Sequence, residues 1–527
     1  MIKMSSLDSE IKEKISSIPI FSRIAFLATF LFGLIIHMPI MTNLTVNHDS
    51  VFFSVEYKPD LTAGRWFRVL IGNILSGKFQ NPWLIGITAL FMFSLCSAEI
   101  VYFFQIDEVW QAVAISGLLI SFPTVAGNYS YTFATNEYPS AFFLALSGVL
   151  LVFSKKRKNR ALGIVCFILS CAIYQIYIEF AILLIIMQTL LYLFFEKDLK
   201  QVMIRAIQQL MYIAFGMVCY YIITFLISRF HRISLQKRTM NIQDPIETAV
   251  VLYRTFIKNI LFNKGLNGEY CANYFLLVLL AMTFIVGCRK LGGMPSAVWR
   301  IIIYTGVYLT TPLLLNLLCF VTGPDIHNLM EYPMVLLWIY PVLFIRVLDT
   351  DRFVRIYERT VLAVLLFAIY GNIIFTSSCY YGLLLEYQNS FALANRLVSR
   401  IETTDGWDKE MPVMFVGSIG YHETIYDETI PTLRNELKTV TGYNNGNYAY
   451  VKPKILRYFI NDYIGAVLKE PTEEQENSIF DSGIIDKMDT FPERGSIRIY
   501  QGTLIIKLTN DNIRDLDRNA YEGVLVR

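Results

Sequence analysis

The loop after the first long apolar stretch concentrates residues that could do chemistry. It contains an acidic motif around Asp49, and the run Gly64-Arg65-Trp66 follows shortly after. A carboxylate beyond a helix end can take a proton from an attacking hydroxyl, and an arginine can bind a phosphate leaving group. The structural alternative is that Asp49 caps a helix and Arg65 extends to lipid headgroups. The candidates are Asp49 and Arg65 for catalysis, with Asn47, His48, Glu56, Trp66 and Arg68 for substrate binding.

A second polar and aromatic cluster joins two apolar stretches at residues 128–139. Tyrosine rings can stack on the apolar face of a sugar, and amide and hydroxyl groups can bind its hydroxyls. An aromatic belt at a membrane interface is the alternative, although it would not account for Asn136 and Glu137. The candidate substrate-binding residues here are Tyr131, Asn136, Glu137 and Tyr138.

Two further segments carry polar groups in apolar surroundings. In Tyr174-Gln175-Ile176-Tyr177-Ile178-Glu179, helical spacing predicts that Gln175 and Glu179 point together, as a substrate site or as a hydrogen-bonding contact between helices. In Gly323-Pro324-Asp325-Ile326-His327, Gly and Pro predict a tight turn that presents Asp325 and His327. A purely structural loop is the alternative there.

Composition places these segments in a membrane protein. Of the 527 residues, 54% are hydrophobic and 17% charged, whereas ordinary globular domains have about 25% charged residues. The net charge of +3 gives no argument for a nucleic-acid partner. The eight cysteines lie in or beside apolar stretches without metal-binding spacing, which favours a packing role.

Stretches long and apolar enough to cross a bilayer of roughly 30 Å predict about eleven transmembrane helices. We divide the continuous stretch at 161–195 into two helices because polar groups interrupt it at Tyr174 to Tyr177. The predicted spans are 22–41, 83–104, 109–126, 138–154, 161–176, 178–195, 207–228, 272–288, 297–320, 333–348 and 359–380.

Short basic loops predict the orientation, because cytoplasmic loops carry an excess of Lys and Arg. The run Lys155 to Arg160 marks the cytoplasmic side most strongly, and the count then gives a cytoplasmic amino terminus and an external tail. The basic loop with Arg229 and Arg232 disagrees, since this count places it outside. Either one helix is miscounted, or these cations bind an anion such as a lipid phosphate.

The character of the chain changes after residue 385. The segment 386–527 is polar, with an amphipathic helix predicted at 387–401 and strands at 411–418 and 497–507. The predicted fold is an all-α polytopic membrane protein with a small external α/β domain at the carboxyl terminus. The domains are a transmembrane domain at 1–385 and a soluble α/β domain at 386–527.

The order of four motifs resembles the bacterial O-antigen type II glucosyl transferase family. These motifs are Asn47-His48-Asp49, Gly64-Arg65-Trp66, the aromatic loop from Tyr131 to Tyr138, and Tyr174-Gln175-Ile176-Tyr177. The resemblance covers about residues 20–380. One departure is that His48 stands where relatives often have the first of two acids, which leaves Asp49 as the favoured base and argues against a two-carboxylate metal site.

The resemblance implies a glycosyltransferase of the GT-C type in the bacterial cytoplasmic membrane. Such enzymes transfer a hexose from a polyprenyl-phosphate donor to a cell-envelope glycan on the external face. Asp49 would deprotonate the acceptor, while Arg65, with Arg229 or Arg232, would bind the leaving phosphate. This reaction requires no cofactor. A divalent metal would be compatible with it, but no residue pattern in the sequence indicates one. The expected partners are the lipid-linked sugar, the acceptor polysaccharide and the bilayer, and the C-terminal domain could recruit a further partner.

Two other classes of function remain open at the level of sequence. A transporter or flippase of a lipid-linked sugar would need helices broken by Gly or Pro near the bilayer midplane, and Pro312 is one such residue. An envelope scaffold with a binding tail would tolerate the loss of every acid named above. Formation of a new glycosidic bond would separate the transferase from both.

Overall fold

The structure, a computed structural model, describes residues 6–45, 47, 50, 58–75, 81–233, 235, 244–261, 272–323, 326, 328–349, 352–417 and 452–510. The chain forms two compact units. The first combines Met1–Thr42, Asp60–Tyr129 and Ala134–Ser377, and the second combines Asn43–Pro59, Ser130–Phe133 and Ser378–Arg527.

Helices make up the first unit. In chain order they are α1 Ser6–Ser17, α2 Ile20–Thr42, α3 Lys58–Thr62, α4 Trp66–Leu75, α5 Pro82–Phe103, α6 Val109–Ser121, α7 Pro123–Ser130, α8 Glu137–Val152, α9 Arg157–Ile173, α10 Tyr177–Phe195, α11 Leu199–Phe230, α12 Pro245–Leu261, α13 Ala272–Leu291, α14 Ala297–Leu314, α15 Cys319–Thr322, α16 Val335–Phe344 and α17 Arg352–Glu402. Short 3-10 turns lie at Asn328–Met330, Tyr332–Met334 and Ile345–Val347. The second unit includes Lys58 and Pro59 at the start of α3, Ser130 at the end of α7, and the residues of α17 from Ser378 onward.

Seven of these helices are long and apolar enough to cross a membrane: α2, α5, α10, α11, α13, α14 and α17. The pair α6 and α7, bent by 46°, would make an eighth span. Each of the eleven predicted spans overlaps a helix, but α8, α9 and the helical segment Tyr332–Val347 are shorter than the roughly 20 residues that a span needs. The long apolar helices therefore indicate a membrane protein, whereas the count of eleven spans is not confirmed.

Local chemistry fixes the ends of several helices. Asp198 caps α11 by accepting hydrogen bonds from the backbone N–H groups of Lys200 and Gln201 at 3.0 and 3.3 Å. The predicted division of residues 161–195 is confirmed, since α9 ends at Ile173 and α10 begins at Tyr177. The buried Arg300 donates to the carbonyl oxygens of Glu196 and Lys197, both at 2.8 Å, where α10 ends and its backbone carbonyls lack helical partners.

The second unit contains a three-stranded sheet in the order β1-β3-β2, with β1 Val413–Val416, β2 Ile497–Tyr500 and β3 Thr503–Lys507. Strands β1 and β3 are parallel, whereas β2 and β3 are antiparallel. The hairpin turns through Gln501 and Gly502, whose φ angles of 48° and 72° match the two positive values of a tight type I′ turn. The structure thus has strands where the sequence predicts them.

The core of this unit lies on both faces of the sheet. One face packs against the end of α17 and against α18 Lys452–Phe459, and the other packs against α19 Glu473–Asp481. Alternate residues of β3 serve the two faces, as Leu504 and Ile506 join the first cluster and Ile505 joins the second. A π-helical turn at Ile460–Ile464 and 3-10 turns at Ile485–Lys487 and Arg494–Ser496 complete the unit.

Candidate active site

The turn between α3 and α4 requires a glycine at position 64. Gly64 has a φ of +76°, a conformation that costs other residues roughly 1 kcal/mol or more. A Cβ atom there would lie 2.6 Å from the hydroxyl of Tyr220 on α11. The backbone N–H of Arg65 donates to the carbonyl of Asp60 at 2.8 Å and closes the turn. The position of Arg65 therefore depends on a backbone that only glycine adopts without strain.

The guanidinium of Arg65 contacts two tyrosines whose rings stack on each other. Its Cζ is 4.8 Å from the centroid of the Tyr174 ring, and Nη1 donates to the Tyr138 hydroxyl at 3.4 Å. The rings of Tyr138 and Tyr174 stack with centroids 4.3 Å apart. Burial opposes ionisation of Arg65, but Tyr138, Tyr174 and the nearby Asp60 raise its pKa, so the group stays charged.

Arg65 has spare binding capacity. Its Nε is buried and has no hydrogen-bond partner, and no carboxylate of the described residues forms an ion pair with the side chain. A guanidinium carries five N–H donors in a planar fork that suits a phosphate or a carboxylate. The arrangement can therefore bind an anion without first breaking a salt bridge.

Arg68, one turn along α4, is in the opposite situation. Its guanidinium forms a buried ion pair with Asp60, and its Nε lies 3.9 Å from a carboxylate oxygen of Glu137. Glu137 is the first residue of α8, which is not one of the seven long apolar helices. Burial raises the pKa of Glu137 to about 7, although the positive charge of Arg68 opposes this shift. Arg68 is thus compensated within the protein, which favours a structural role over substrate binding.

Helix α11 anchors the segment that carries Arg65. The indole N–H of Trp66 donates to the hydroxyl of Thr224 at 3.2 Å. Tyr220, one turn earlier, donates its hydroxyl to the carbonyl of Gly64 at 3.2 Å. The amide nitrogen of Gln175 donates to the Tyr220 hydroxyl at 2.7 Å and to the Ala63 carbonyl at 3.1 Å. We call Gln175, Tyr220 and Thr224 the Gly64 clamp.

The prediction that Gln175 and Glu179 point together is wrong. Gln175 precedes the first residue of α10, so the four-residue periodicity of a helix does not relate it to Glu179. Gln175 contacts the Gly64 turn, whereas one oxygen of the buried Glu179 accepts a hydrogen bond from the backbone N–H of Leu317, between α14 and α15. Glu179 thus makes a contact within the first unit, and its role in substrate binding stays a prediction.

In the second unit, the acidic loop and the aromatic loop are hydrogen-bonded to each other. The side-chain oxygen of Asn47 accepts hydrogen bonds from the backbone N–H and the hydroxyl of Ser50, both at 2.8 Å. The Ser50 hydroxyl also donates to the Ser130 carbonyl at 3.3 Å and accepts from the Thr132 N–H at 3.0 Å. The buried Tyr131 stands between Ser130 and Thr132 in the chain, and its ring is edge-on to that of Phe133. Two segments named from sequence are therefore neighbours.

The remaining predicted residues are scattered. Asn136 is buried before α8, and its side-chain nitrogen has no hydrogen-bond partner. Arg229 and Arg232 lie exposed at the end of α11, with the Arg229 guanidinium 5.4 Å from the Phe225 ring. The other predicted residues lie outside the described residues and stay predictions: His48, Asp49, Glu56, Asp325 and His327.

Sequence reasoning missed Asp60, Tyr220 and Thr224. Asp60 stands in the loop that follows the first long apolar stretch, eight residues before its partner Arg68. Tyr220 and Thr224 are four residues apart on an apolar helix, so their hydroxyls share one face, and that spacing was the available signal. Across the described ranges, His, Cys, Asp and Glu form no group of three or more that could bind a metal ion.

Comparison with known proteins identifies the family but no individual relative. No curated protein matches the chain, and no solved structure does. The family described as glucosyl transferase GtrII matches residues 38–342, more than half of the chain, including the turn at Gly64, both arginines and the Gly64 clamp. This match confirms the resemblance noted from sequence. The chain belongs to the GtrII glucosyl transferase family.

Proposed function

We propose that this glucosyltransferase moves a hexose, glucose in the first instance, from a polyprenyl-phosphate donor to a cell-envelope glycan on the external face of the cytoplasmic membrane. The family supports glucosyl transfer, and the long apolar helices support action at a membrane.

The observation that carries the choice of donor is the unpaired cation at Arg65. A lipid-phosphate sugar leaves behind a phosphate whose negative charge increases as the glycosidic bond breaks. A charged guanidinium with free donors in a largely buried setting stabilises that developing charge more than water does. Arg68 is paired with Asp60 and is not available for this role.

The reaction is a single displacement. The acceptor hydroxyl oxygen attacks C1 of the sugar, its proton passes to the Asp49 carboxylate, and the electron pair of the C1–O bond goes to the phosphate. Arg65 binds the departing phosphate, with Arg229 and Arg232 as further cations toward the lipid. Tyr174 and Tyr138 orient Arg65, because the Tyr174 ring lies beneath its guanidinium and the Tyr138 hydroxyl accepts a hydrogen bond from it.

Four other predicted residues keep substrate roles in this proposal. Asn136 and Glu137 each have a polar side-chain atom that lacks a hydrogen-bond partner, and we assign these atoms to the sugar hydroxyls. Trp66 contributes a half-buried ring. Tyr131 lies among Ser130 and Thr132, which bind Ser50, the residue that follows Asp49 in the chain. This link supports sharing of the acceptor between the acidic and aromatic loops.

A donor panel tests the proposal. Purified protein would be incubated with polyprenyl-phosphate glucose, other polyprenyl-phosphate hexoses and a nucleotide-linked glucose, together with cell-envelope glycan, and products would be identified by mass spectrometry. We expect transfer from the lipid phosphate donor and none from the nucleotide sugar. Transfer from the nucleotide sugar alone would overturn the proposed donor, and lipid movement without a new glycosidic bond would indicate a flippase.

The base has its own test in the same assay. Asp49→Asn removes the proton acceptor but keeps the size of the side chain, so we expect loss of transfer with normal expression and thermal stability. Wild-type turnover by the purified variant would exclude Asp49 as the base.

A further inference from the structure

The Tyr220 hydroxyl is fully committed to the turn that precedes Arg65. It donates its only hydrogen to the Gly64 carbonyl and accepts a hydrogen bond from Gln175. A hydroxyl has one donor and two acceptor sites, so Tyr220 has no hydrogen left for a sugar or a phosphate. Its contacts favour an action on the backbone over an action on substrate.

The same hydroxyl limits how the turn can move. A Cβ at Gly64 would lie 2.6 Å from it, so the turn already touches α11 and cannot approach further. Movement away from α11 would break the hydrogen bond to the Gly64 carbonyl and the bond between Trp66 and Thr224. The residue between these two attachment points is Arg65.

Arg65 itself has weak attachments. Its side chain has a 3.4 Å hydrogen bond to Tyr138 and a contact with the Tyr174 ring, and its Nε has none. The direction of the guanidinium is therefore determined largely by its backbone. A shift of about 1 Å in a group that binds the reacting centre can lower a rate about 100-fold, so the attachment of this turn matters for transfer.

We infer that Tyr220 is a positioning residue for transfer: through Gly64 it orients the Arg65 guanidinium toward the phosphate of the donor. Gln175 serves the same purpose by orienting the Tyr220 hydroxyl. This inference rests on the proposed function of Arg65 and assigns Tyr220 no contact with the reacting atoms.

The test uses Tyr220→Phe, with Tyr212→Phe as its control. Tyr212 lies on the same helix, and its hydroxyl accepts one hydrogen bond from Arg160 at 3.1 Å, away from the turn. Both changes remove one hydroxyl and keep the ring. The full-length proteins would be compared in kcat and KM for polyprenyl-phosphate glucose, and in the rate at which phenylglyoxal, an arginine-selective reagent, modifies Arg65. Peptide mass spectrometry would follow the modification, with the ion-paired Arg68 as the internal reference.

We expect Tyr220→Phe to lower kcat at least about tenfold, with a smaller change in KM, and to raise modification of Arg65 several-fold relative to Arg68. Tyr212→Phe should match wild type in both measurements. Gln175→Met should act in the same direction. The loss in the double variant should be smaller than the sum of the two single losses, because both changes remove the contact between Gln175 and Tyr220 and only the bond from Gln175 to the Ala63 carbonyl is lost independently.

Three other results are informative. A lower kcat of Tyr220→Phe with an unchanged rate of Arg65 modification would overturn the inference, because Tyr220 would then act by another route. Wild-type behaviour in both measurements would also overturn it. Faster modification of Arg65 with wild-type kcat and KM would show that Tyr220 positions Arg65, and would refute the proposed role of Arg65 in transfer.

Discussion

Each unit of the protein places an arginine over an aromatic ring, and the two arginines differ in their partners. In the C-terminal sheet domain, Arg457 lies 5.3 Å from the Phe415 ring, donates to the carbonyls of Val413 and Lys469 at 2.8 and 3.3 Å, and has a Glu470 carboxylate at 3.8 Å. Arg65 has a similar ring contact, but among the described residues its side chain donates only to the Tyr138 hydroxyl and forms no ion pair.

This difference separates a structural cation from one available for binding. A buried arginine with carbonyl and carboxylate partners stabilises the fold, because its donors are satisfied by the protein itself. Burying an arginine whose N–H donors are unused destabilises the folded state, and a bound anion would offset this cost by accepting hydrogen bonds from those donors. The comparison therefore predicts opposite consequences for the same substitution at the two positions.

The largest effect is expected from Arg65→Gln. We expect it to lower kcat about 100- to 1,000-fold, the usual cost of removing one donor that stabilises transition-state charge, with little change in thermal stability. Arg457→Gln should instead lower the free energy of unfolding by about 2–4 kcal/mol, because buried carbonyls lose their donors, and should keep kcat within about twofold per folded molecule. Transfer kinetics and thermal unfolding of both purified variants measure this. Equal effects of the two changes on kcat would remove the distinction.

A somewhat smaller loss is expected from Gly64→Ala. The added Cβ would meet the Tyr220 hydroxyl, and the alanine would have a strained backbone φ. Arg65 should therefore be displaced, and kcat should fall on the order of 100-fold. Gly306→Ala on α14 is the matched control, because its Cβ would meet nothing within 4 Å and alanine favours a helix. Activity assays on both variants decide the matter, and wild-type activity of Gly64→Ala would show that the turn does not position Arg65.

The smallest effect is expected from Glu179→Gln. Glu179 resembles Arg457 in that it binds a backbone group, here the N–H of Leu317. The amide oxygen of glutamine can accept the same hydrogen bond, so kcat and KM should stay within about threefold of wild type. A large rise in KM for the donor would instead return Glu179 to the substrate site predicted from sequence.

The sequence predicted the elements better than the contacts between them. Apolar stretches located the helices, the polar residues at 174–177 located the break between α9 and α10, and alternating isoleucines located β2 and β3. The hydropathy of an apolar stretch does not show at which residues its helix begins and ends. The helices α8 and α9 are shorter than membrane-crossing helices, so the count of eleven spans is not confirmed.

The candidate site shows the same limit. Gly64-Arg65-Trp66 was recognised as a motif, but Arg65 and Arg68 carry the same charge three residues apart, and only the fold shows that Asp60 compensates one of them. Tyr220 lies 156 residues from Gly64 in the chain, so their contact follows from the packing of α4 and α11 on α9 and not from any local pattern.

The most direct test of the central claim is the inhibition constant of polyprenyl phosphate, the product left after transfer, against wild type and Arg65→Gln. If Arg65 binds the leaving phosphate, loss of its charge-assisted hydrogen bonds should weaken inhibition about 10- to 100-fold, whereas Arg457→Gln should leave the constant unchanged. Equal inhibition of wild type and Arg65→Gln would show that the phosphate is bound elsewhere and would contradict the account.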